Sequence, residues 1–282
     1  MFLEREKPMK KARITKINDR TYRFTEAAFG ADVYMYLLIG NQKALLTDTG
    51  YGFTDVPDAI RAITDKELIV VNTHGHMDHI HGNHLYNEVY LAAEDEETFQ
   101  RHTSKEYLTS LIQEIARENN IPQWIIHVPF IHRYIESIII AKPSRHIPLP
   151  QDMQFDLGGR TVRIVKTPGH TSGSICLLDE KYHFLFTGDM TCHDGVLLNF
   201  PESTAVSIFR NSILAIKVLC EKEHVVSLFP GHQNTPEPTE ILDSYLLLCE
   251  KLLSSHDPEV WKSGRITDGT TTIRFRPEKE GE

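Results

Sequence analysis

The segment THGHMDHIHG at residues 73–82 constrains this chain more than any other, because it places several histidines directly after a predicted buried strand. The preceding residues, 68–72, form a short continuous apolar run, which is typical of a strand buried on both faces. In an extended segment alternate side chains point to one side, so the His-x-His-x-Asp spacing aims three of them together. The next histidine joins them if the chain bends where the strand ends. These candidate ligands are His74, His76, Asp78 and His79.

Three later segments each carry a histidine or aspartate on a glycine-containing turn just after an apolar run. The turns read TPGHTSGS at residues 167–174, FTGD at 186–189 and LFPGH at 228–232. Glycine permits the sharp bends that such turns need. Strand ends that converge on one edge of a sandwich build a rigid metal site, and imidazole and carboxylate groups are suitable ligands for zinc, iron or manganese. The additional candidate ligands are His170, Asp189 and His232.

Hydrophobic periodicity divides the chain into two strand-rich halves separated by a helical insertion at about residues 94–146. Because motifs on both sides of the insertion contribute to one site, we expect a single domain over residues 1–262 and a polar, loosely held tail at 263–282, with one candidate strand at 271–275. Predicted strands cover residues 32–39, 43–47, 68–72, 89–91, 154–157, 161–165, 174–178, 183–187 and 225–229. Predicted helices outside the insertion cover residues 55–63, 204–220 and 238–254.

Charge and cysteine usage restrict the class of protein. The chain has 30 basic and 39 acidic residues, and its net charge of −9 argues against binding nucleic acid by phosphate neutralisation. Its four cysteines are widely spaced and form no C-x-x-C pair, as is typical of thiols in a reducing compartment. The N-terminal residues include no apolar signal region, and no run reaches the ~18 apolar residues that span a bilayer. We therefore expect a cytoplasmic protein with a small-molecule substrate and no membrane partner.

Together with LTDTG at residues 46–50, these motifs resemble the metallo-β-lactamase superfamily of binuclear metallohydrolases. The resemblance covers about residues 30–235 apart from the insertion, and it implies an α/β fold, a four-layer αββα sandwich with the metals at one edge. It implies two divalent metal ions, with zinc as the first expectation and iron or manganese as alternatives. By this resemblance the first ion would be held by His74, His76 and His170, the second by Asp78, His79 and His232, with Asp189 bridging the two.

The resemblance also implies supporting roles and a reaction. Asp48, in the LTDTG motif, would support a ligand or a loop without touching a metal ion, and Asp78 would also orient the nucleophile. Two metal ions lower the pKa of a bridging water, so the expected reaction is hydrolysis of an ester, lactone or thioester. The full ligand set resembles glyoxalase II and the acyl-homoserine lactonases more than the secreted β-lactamases. Phosphodiester hydrolysis, and oxygenation by a mononuclear iron persulfide dioxygenase on the same scaffold, remain alternatives.

Two regions leave alternatives open. A lactonase-like mechanism expects a tyrosine shortly after the bridging aspartate, but this chain has MTCH at residues 190–193. His193 is therefore a candidate catalytic acid, and the alternative is a loop histidine that faces solvent. The aromatic residues of the insertion either line an apolar wall beside the metals, as part of a lid, or form the insertion's own core or a homodimer contact. They are Tyr107, Trp124, Phe130 and Tyr134.

Overall fold

Strand β3 (Ala31–Ile39) shows why the chain folds into layers, because both of its faces are apolar and buried. In the computed structural model its even-numbered side chains contact a second sheet, while its odd-numbered side chains pack on helix α1 (Val56–Ile63). Successive strand residues point to opposite faces of a sheet, so such a strand must be covered on both sides. The structure describes residues 10–28, 31–118, 145–150, 152–233 and 235–277.

The first sheet has seven strands that lie in chain order. Strands β1 to β4 are antiparallel to their neighbours, whereas β4 to β7 run parallel, so the ends of β4 and β5 lie side by side at one edge. Besides β3, its members are β1 (Arg13–Asn18), β2 (Thr21–Ala28), β4 (Lys43–Thr47), β5 (Glu67–Val71), β6 (Glu88–Leu91) and β7 (Arg145–Pro148).

The second sheet has five strands in the order β13-β11-β10-β9-β8, and a small third sheet has the order β12-β15-β14. The second sheet consists of β8 (Gln154–Asp156), β9 (Thr161–Lys166), β10 (Ile175–Asp179), β11 (Phe184–Gly188) and β13 (Ser227–Pro230). The third consists of β12 (Val196–Leu198), β14 (Arg265–Thr267) and β15 (Thr272–Phe275). The remaining helices are α2 (Met77–Ile80), α3 (Glu96–His102), α4 (Lys105–Glu118), α5 (Val206–Lys222), α6 (Ile241–Leu253) and α7 (Pro258–Lys262), with 3-10 turns at Ala93–Asp95 and His81–Leu85.

Three apolar cores connect these elements into four layers. One core lies between α1 and the first sheet, one lies between the two large sheets, and one joins the second sheet to α5, α6 and the small sheet. The four-layer αββα sandwich that the sequence predicts is therefore confirmed. None of the helices in the described part of the chain is long and apolar enough to cross a membrane.

Several regions differ from the sequence-based prediction, including β7 and β12, which were not predicted as strands. The predicted helical insertion contains α3 and α4, while residues 119–144, with Trp124, Phe130 and Tyr134, lie outside the described residues. Strands β1 and β2 extend the first sheet but were not predicted. Strand β1 is mostly exposed and its side chains lack an apolar face. In the polar tail, β15 lies within the candidate strand expected at 271–275, whereas the strand β14 at Arg265–Thr267 was not expected. There β15 pairs with β12 and β14, and its Ile273 and Phe275 are buried.

A buried ion pair joins the two large sheets. The guanidinium of Arg160 donates hydrogen bonds of 2.6 and 3.1 Å to Asp179 of β10, and neither side chain is exposed. The same guanidinium donates to the Thr21 hydroxyl and to the Arg20 carbonyl of the first sheet's edge, at 2.8 and 2.6 Å. Because a buried guanidinium needs partners for all its donors, this network sets how the sheets meet.

Candidate metal centre

All seven ligands predicted from the sequence lie together at one edge of the sandwich, where strands of both large sheets end. Two follow β5, two lie in the short helix α2, and one each follows β9, β11 and β13. In each of three groups of three, one ligand atom per residue lies within 4.8 Å of the others. The seven residues are His74, His76, Asp78, His79, His170, Asp189 and His232.

The first group consists of three buried histidines. Nε2 of His170 lies 2.8 Å from Nδ1 of His76, and the ring of His74 lies 4.8 Å from each of their rings. Nε2 of His74 is buried and has no hydrogen-bond partner among the described residues. A buried nitrogen without a partner is costly, so this orphaned atom fits a site whose natural partner is a metal ion.

The second group joins α2 to the end of β13. Nε2 of His232 lies 3.1 Å from Oδ2 of Asp78 and 3.3 Å from Nε2 of His79. Both imidazoles therefore direct their Nε2 atoms at one point, and a carboxylate oxygen points to the same place. Two imidazoles with a carboxylate are a suitable ligand set for a divalent transition-metal ion.

Asp189 lies between the two groups. Its Oδ1 is 3.3 Å from Nε2 of His79, and its Oδ2 is 3.4 Å from Nε2 of His170 and 3.5 Å from Nε2 of His232. Oδ1 is also buried without a hydrogen-bond partner in the described part of the chain. One carboxylate thus contacts a histidine of each group, which is the position that a bridging ligand requires.

Gly231 makes this close approach possible. A Cβ atom at this residue would lie 2.7 Å from both Oδ1 of Asp189 and Cε1 of His79, closer than real Cβ contacts. The Gly231 backbone meanwhile accepts a hydrogen bond from the Tyr34 amide and donates one to the Gly188 carbonyl, at 2.8 and 2.9 Å. The backbone itself therefore occupies the space between the two sheets beside the centre.

A family model described as the Metallo-beta-lactamase superfamily matches residues 29–256. The chain belongs to the metallo-β-lactamase superfamily. Its homologues and fold make it a metallo-β-lactamase-fold hydrolase, as the sequence motifs indicated.

Named relatives of this metallo-β-lactamase-fold chain include hydrolases of several kinds. The acyl-coenzyme A thioesterase MBLAC2 of Gallus gallus is 28% identical over 221 residues, which cover 75% of this chain and 76% of the relative. The probable polyketide biosynthesis zinc-dependent hydrolase BaeB of Bacillus velezensis is 22% identical, with 76% and 78% covered. Among solved structures, a metallo-beta-lactamase from Pontibacter korlensis has a TM-score of 0.59 at 16% identity, covering 85% of this chain and 99% of its own, which shows the shared fold.

Each of the five candidate histidines is held through its other ring nitrogen, and Nδ1 of His74 lies 3.1 Å from the Thr73 hydroxyl. Asp48, left-handed at φ 59° after β4, accepts from Nδ1 of His79 at 2.9 Å and from the Thr73 amide and hydroxyl at 2.7 and 2.8 Å. Nδ1 of His170 donates to the Leu197 carbonyl at 2.7 Å. Nδ1 of His232 donates to the carbonyl of Asp32 at 2.6 Å. Such contacts set the tautomer and leave the opposite nitrogen free for the centre.

Glu202 holds the remaining ring, and sequence reasoning missed it. Oε1 of Glu202 accepts from Nε2 of His76 at 2.7 Å and from Nε2 of His102 at 2.9 Å. The Arg101 guanidinium pairs with its other carboxylate oxygen. Because Arg101 and His102 belong to α3, the insertion contacts a residue of the centre through this carboxylate. No local spacing marks Glu202, which follows β12 far from α3 in the chain.

Asp95 is a second buried carboxylate that the sequence did not reveal. It accepts hydrogen bonds of 2.7 Å from the amides of Gly75 and Gly173 and from the Thr171 hydroxyl. Burial raises the pKa of Asp95. Asp95 joins the loop after β5 to the loop after β9. It therefore fixes the positions of His74, His76 and His170 relative to one another.

The imidazoles of the centre sit in unlike electrostatic surroundings. Burial lowers the pKa of His74 well below its usual range and that of His76 to about 3, so both rings are neutral and able to act as ligands. Burial also disfavours a charge on His79, but the carboxylates of Asp189, Asp48 and Asp78 raise its pKa to about 10. The negative charge around His79 thus favours a positive charge at this point, as expected at a site for a cation.

A cavity of about 830 Å³ opens onto the centre. It includes Asp78, His170, Asp189 and His232 among its lining residues, and Tyr107 of the insertion also faces it. A cavity of this size accommodates a small molecule. Its apolar wall includes Met77, Leu111, Val196, Leu197 and Phe200.

The structure does not bring the candidate acid His193 to this site. The side chain of His193 is 44% exposed and is absent from the described lining of the cavity. Its Nδ1 lies 3.7 Å from a carboxylate oxygen of Glu237 instead. Its neighbours Cys192 and Asp194 line the cavity, whereas the side chain of His193 faces Glu237. The histidine that does line the cavity beyond the predicted ligands is His102.

Proposed function

We propose that this hydrolase cleaves an acyl thioester, or a related ester or lactone, with two divalent metal ions that are zinc in the first instance. The observation that carries this proposal is the position of Asp189 between two ligand groups. His74, His76 and His170 would hold one ion, and Asp78, His79 and His232 the other. When bound, such a pair of ions supplies a water of lowered pKa and polarises the carbonyl oxygen under attack.

The second ligand group supports two ions rather than one. A mononuclear iron enzyme needs a single set of ligands with open positions, whereas here three further ligands converge beside the first set. We therefore favour hydrolysis over persulfide oxygenation. Phosphodiester hydrolysis uses the same pair of ions and stays an alternative.

The residues of the chain would bind and orient the substrate. Asp78 lines the cavity and is 21% exposed, so its carboxylate is able to accept a hydrogen bond from a water that enters. The wall formed by Met77, Leu111 and Phe200 provides an apolar surface for an acyl chain.

The need to protonate the leaving group favours a thioester substrate over an oxygen ester. The candidate acid His193 lies outside the cavity, and no tyrosine follows Asp189 at the position where a lactonase-like mechanism expects one. A thiolate, with a pKa of about 8–9, leaves without prior protonation more readily than an alkoxide does. A relative named as an acyl-coenzyme A thioesterase supports the same choice.

Metal analysis coupled to a substrate panel tests the proposal. The panel contains acyl-pantetheine and acyl-coenzyme A thioesters, matching oxygen esters, lactones, a phosphodiester and a persulfide. We expect close to two metal ions per chain and the highest kcat/KM on thioesters. Asp189→Ala should lose activity with its far-UV circular dichroism retained, while Asp65→Ala at an exposed site should behave as the wild type. Fully active metal-free protein, or metal-loaded protein active only on the phosphodiester or persulfide, would overturn it.

A further inference from the structure

We propose that Arg274, backed by Arg265, forms an anion-binding subsite of the cavity, so that the substrate carries a carboxylate or phosphate group. The choice of thioester substrates below rests on the proposed function, but the subsite itself does not. It rests on where the small third sheet places two arginines.

The strand register puts both arginines on the same face of this sheet. Arg265 of β14 lies directly opposite Arg274 of β15, and directly opposed residues of antiparallel strands share a face with Cβ atoms about 4.5–5.5 Å apart. The neighbours Ile273 and Phe275 point the other way and are buried in the core with α5 and α6. Both guanidinium groups therefore belong to the outer face, where Arg274 lines the cavity.

Like charges placed directly opposite each other destabilise a sheet. Among the residues that the structure describes, neither Arg265 nor Arg274 forms an ion pair, although the chain carries nine more acidic than basic residues. The guanidinium forks thus remain available to a carboxylate or phosphate, which such a fork binds in a bidentate way. A bound anion would also relieve the repulsion between the two arginines.

The subsite adjoins the metal centre through β12. Leu197 of β12 lies opposite Arg274 on the other side of β15, and its carbonyl accepts the 2.7 Å hydrogen bond from His170. Arg274 is therefore one strand away from the residue that orients a predicted ligand. Within the described lining of the cavity it is the sole lysine or arginine.

Carboxylates in the same cavity restrict where an anionic group of the substrate binds. Asp78 and Asp189 would be neutralised by metal ions, but Asp194, which also lines the cavity and is exposed, would not. Asp194 makes no ion pair with Arg274 in the described structure. An anionic group is thus attracted to Arg274 and repelled by Asp194, which restricts where it binds in the cavity.

Calorimetric titration of the metal-loaded protein tests the subsite without turnover. The probes are desulfo-coenzyme A, which carries phosphates but no thiol, and glutarate, which carries carboxylates. We expect the wild type to bind at least one of them, and Arg274→Met to weaken that binding about 10- to 100-fold because a charge-assisted hydrogen-bond pair is lost. Asp194→Asn should strengthen it. Arg61→Met on α1 changes the net charge equally but lies outside the cavity, and it should leave binding unchanged.

Kinetics then separate the two sources of the anion. If the thiol carries it, Arg274→Met raises KM for butyryl-coenzyme A but not for butyryl-pantetheine. If the acyl group carries it, the variant raises KM for succinyl-pantetheine but not for butyryl-pantetheine. Probe binding that depends on Arg274 without any thioester turnover would refute the proposed function and keep the subsite. Absence of probe binding by the wild type, or equal effects of Arg274→Met and Arg61→Met, would overturn the subsite.

Discussion

Oε1 of Glu202 accepts a 2.7 Å hydrogen bond from Nε2 of His76 across 126 residues of chain. The same carboxylate is bound by His102 and Arg101 of the insertion, and its side chain is 7% exposed. The donor atoms of this cluster lie close enough together to hold a further cation; its residues are His76, His102 and Glu202. The Arg101 guanidinium already supplies the positive charge there, so Glu202 acts as a positioning residue for His76.

Glu202→Gln should weaken metal binding about 10-fold or more, because the side chain keeps its shape but loses the charge that orients His76. Competition for zinc with a coloured chelator measures this. Glu221→Gln on the exposed face of α5 is the matched control and should retain wild-type affinity. Equal zinc affinity of the two variants would show that Glu202 does not position the ligand.

Removing metal ions should abolish activity and lower the thermal midpoint. The centre contains buried histidines and two carboxylates that are suited to bind cations. These groups converge only in the folded state, so metal binding stabilises the folded state and not the unfolded state. Zinc at 100 times its Kd contributes about 2.7 kcal/mol, which corresponds to roughly 5–10 °C in Tm for a chain of this size. Scanning calorimetry of chelator-treated protein with and without zinc measures the shift. His74→Ala should reduce it strongly, and a zinc-independent Tm in the wild type would contradict a metal centre.

Glu237→Gln should stabilise the protein at alkaline pH. Both carboxylate oxygens of Glu237 are buried without a hydrogen-bond partner in the described part of the chain, and burial, with Asp194 nearby, raises its pKa to about 7. The folded state therefore binds more protons than the unfolded state between pH values of about 4.5 and 7, so the free energy of unfolding falls as pH rises through this window.

The stabilisation by Glu237→Gln should reach about 1–3 kcal/mol at pH 8 and fall to about a quarter of that at pH 5, since the amide removes only the buried charge. Urea unfolding at both pH values, with zinc held constant, gives the difference. Glu240→Gln, at an exposed residue, controls for the change in net charge. The same stabilisation at pH 5 and pH 8 would argue against ionisation of Glu237 as the cause.

Arg160→Met should destabilise the fold by about 3–5 kcal/mol, because it leaves Asp179 buried without its ion-pair partner. The double variant Arg160→Met/Asp179→Leu should recover part of this loss. Arg61→Met removes an exposed pair with Asp58 and should cost less than about 1 kcal/mol. Urea unfolding compares the three, and a loss for Arg160→Met no larger than for Arg61→Met would exclude a structural role for the buried pair.

Local sequence patterns predicted the candidate ligand residues, which the structure brings together at one edge, because each follows a strand and a tight turn. The spacing of His74, His76 and Asp78 after β5, and the glycines before Asp189 and His232, are properties of a few adjacent residues. Such patterns also predicted the central strands of both large sheets. They failed for β1, whose side chains are mostly exposed and lack an apolar face, and for β14, which pairs with the expected strand β15.

Only the tertiary structure decided which residues support or join the centre. His193 is four residues from Asp189, yet its side chain faces Glu237 and is absent from the described lining of the cavity. Glu202 is distant from His76 in the chain, yet it holds that ring.

The sequence alone thus predicted the candidate ligands and their order and determined the layered fold, because strand periodicity and turn chemistry act over a few residues. The partners of those ligands, the buried Arg160–Asp179 pair and the Arg265–Arg274 face depend on how separate strands pack. Packing brings together residues whose spacing in the chain carries no local signal.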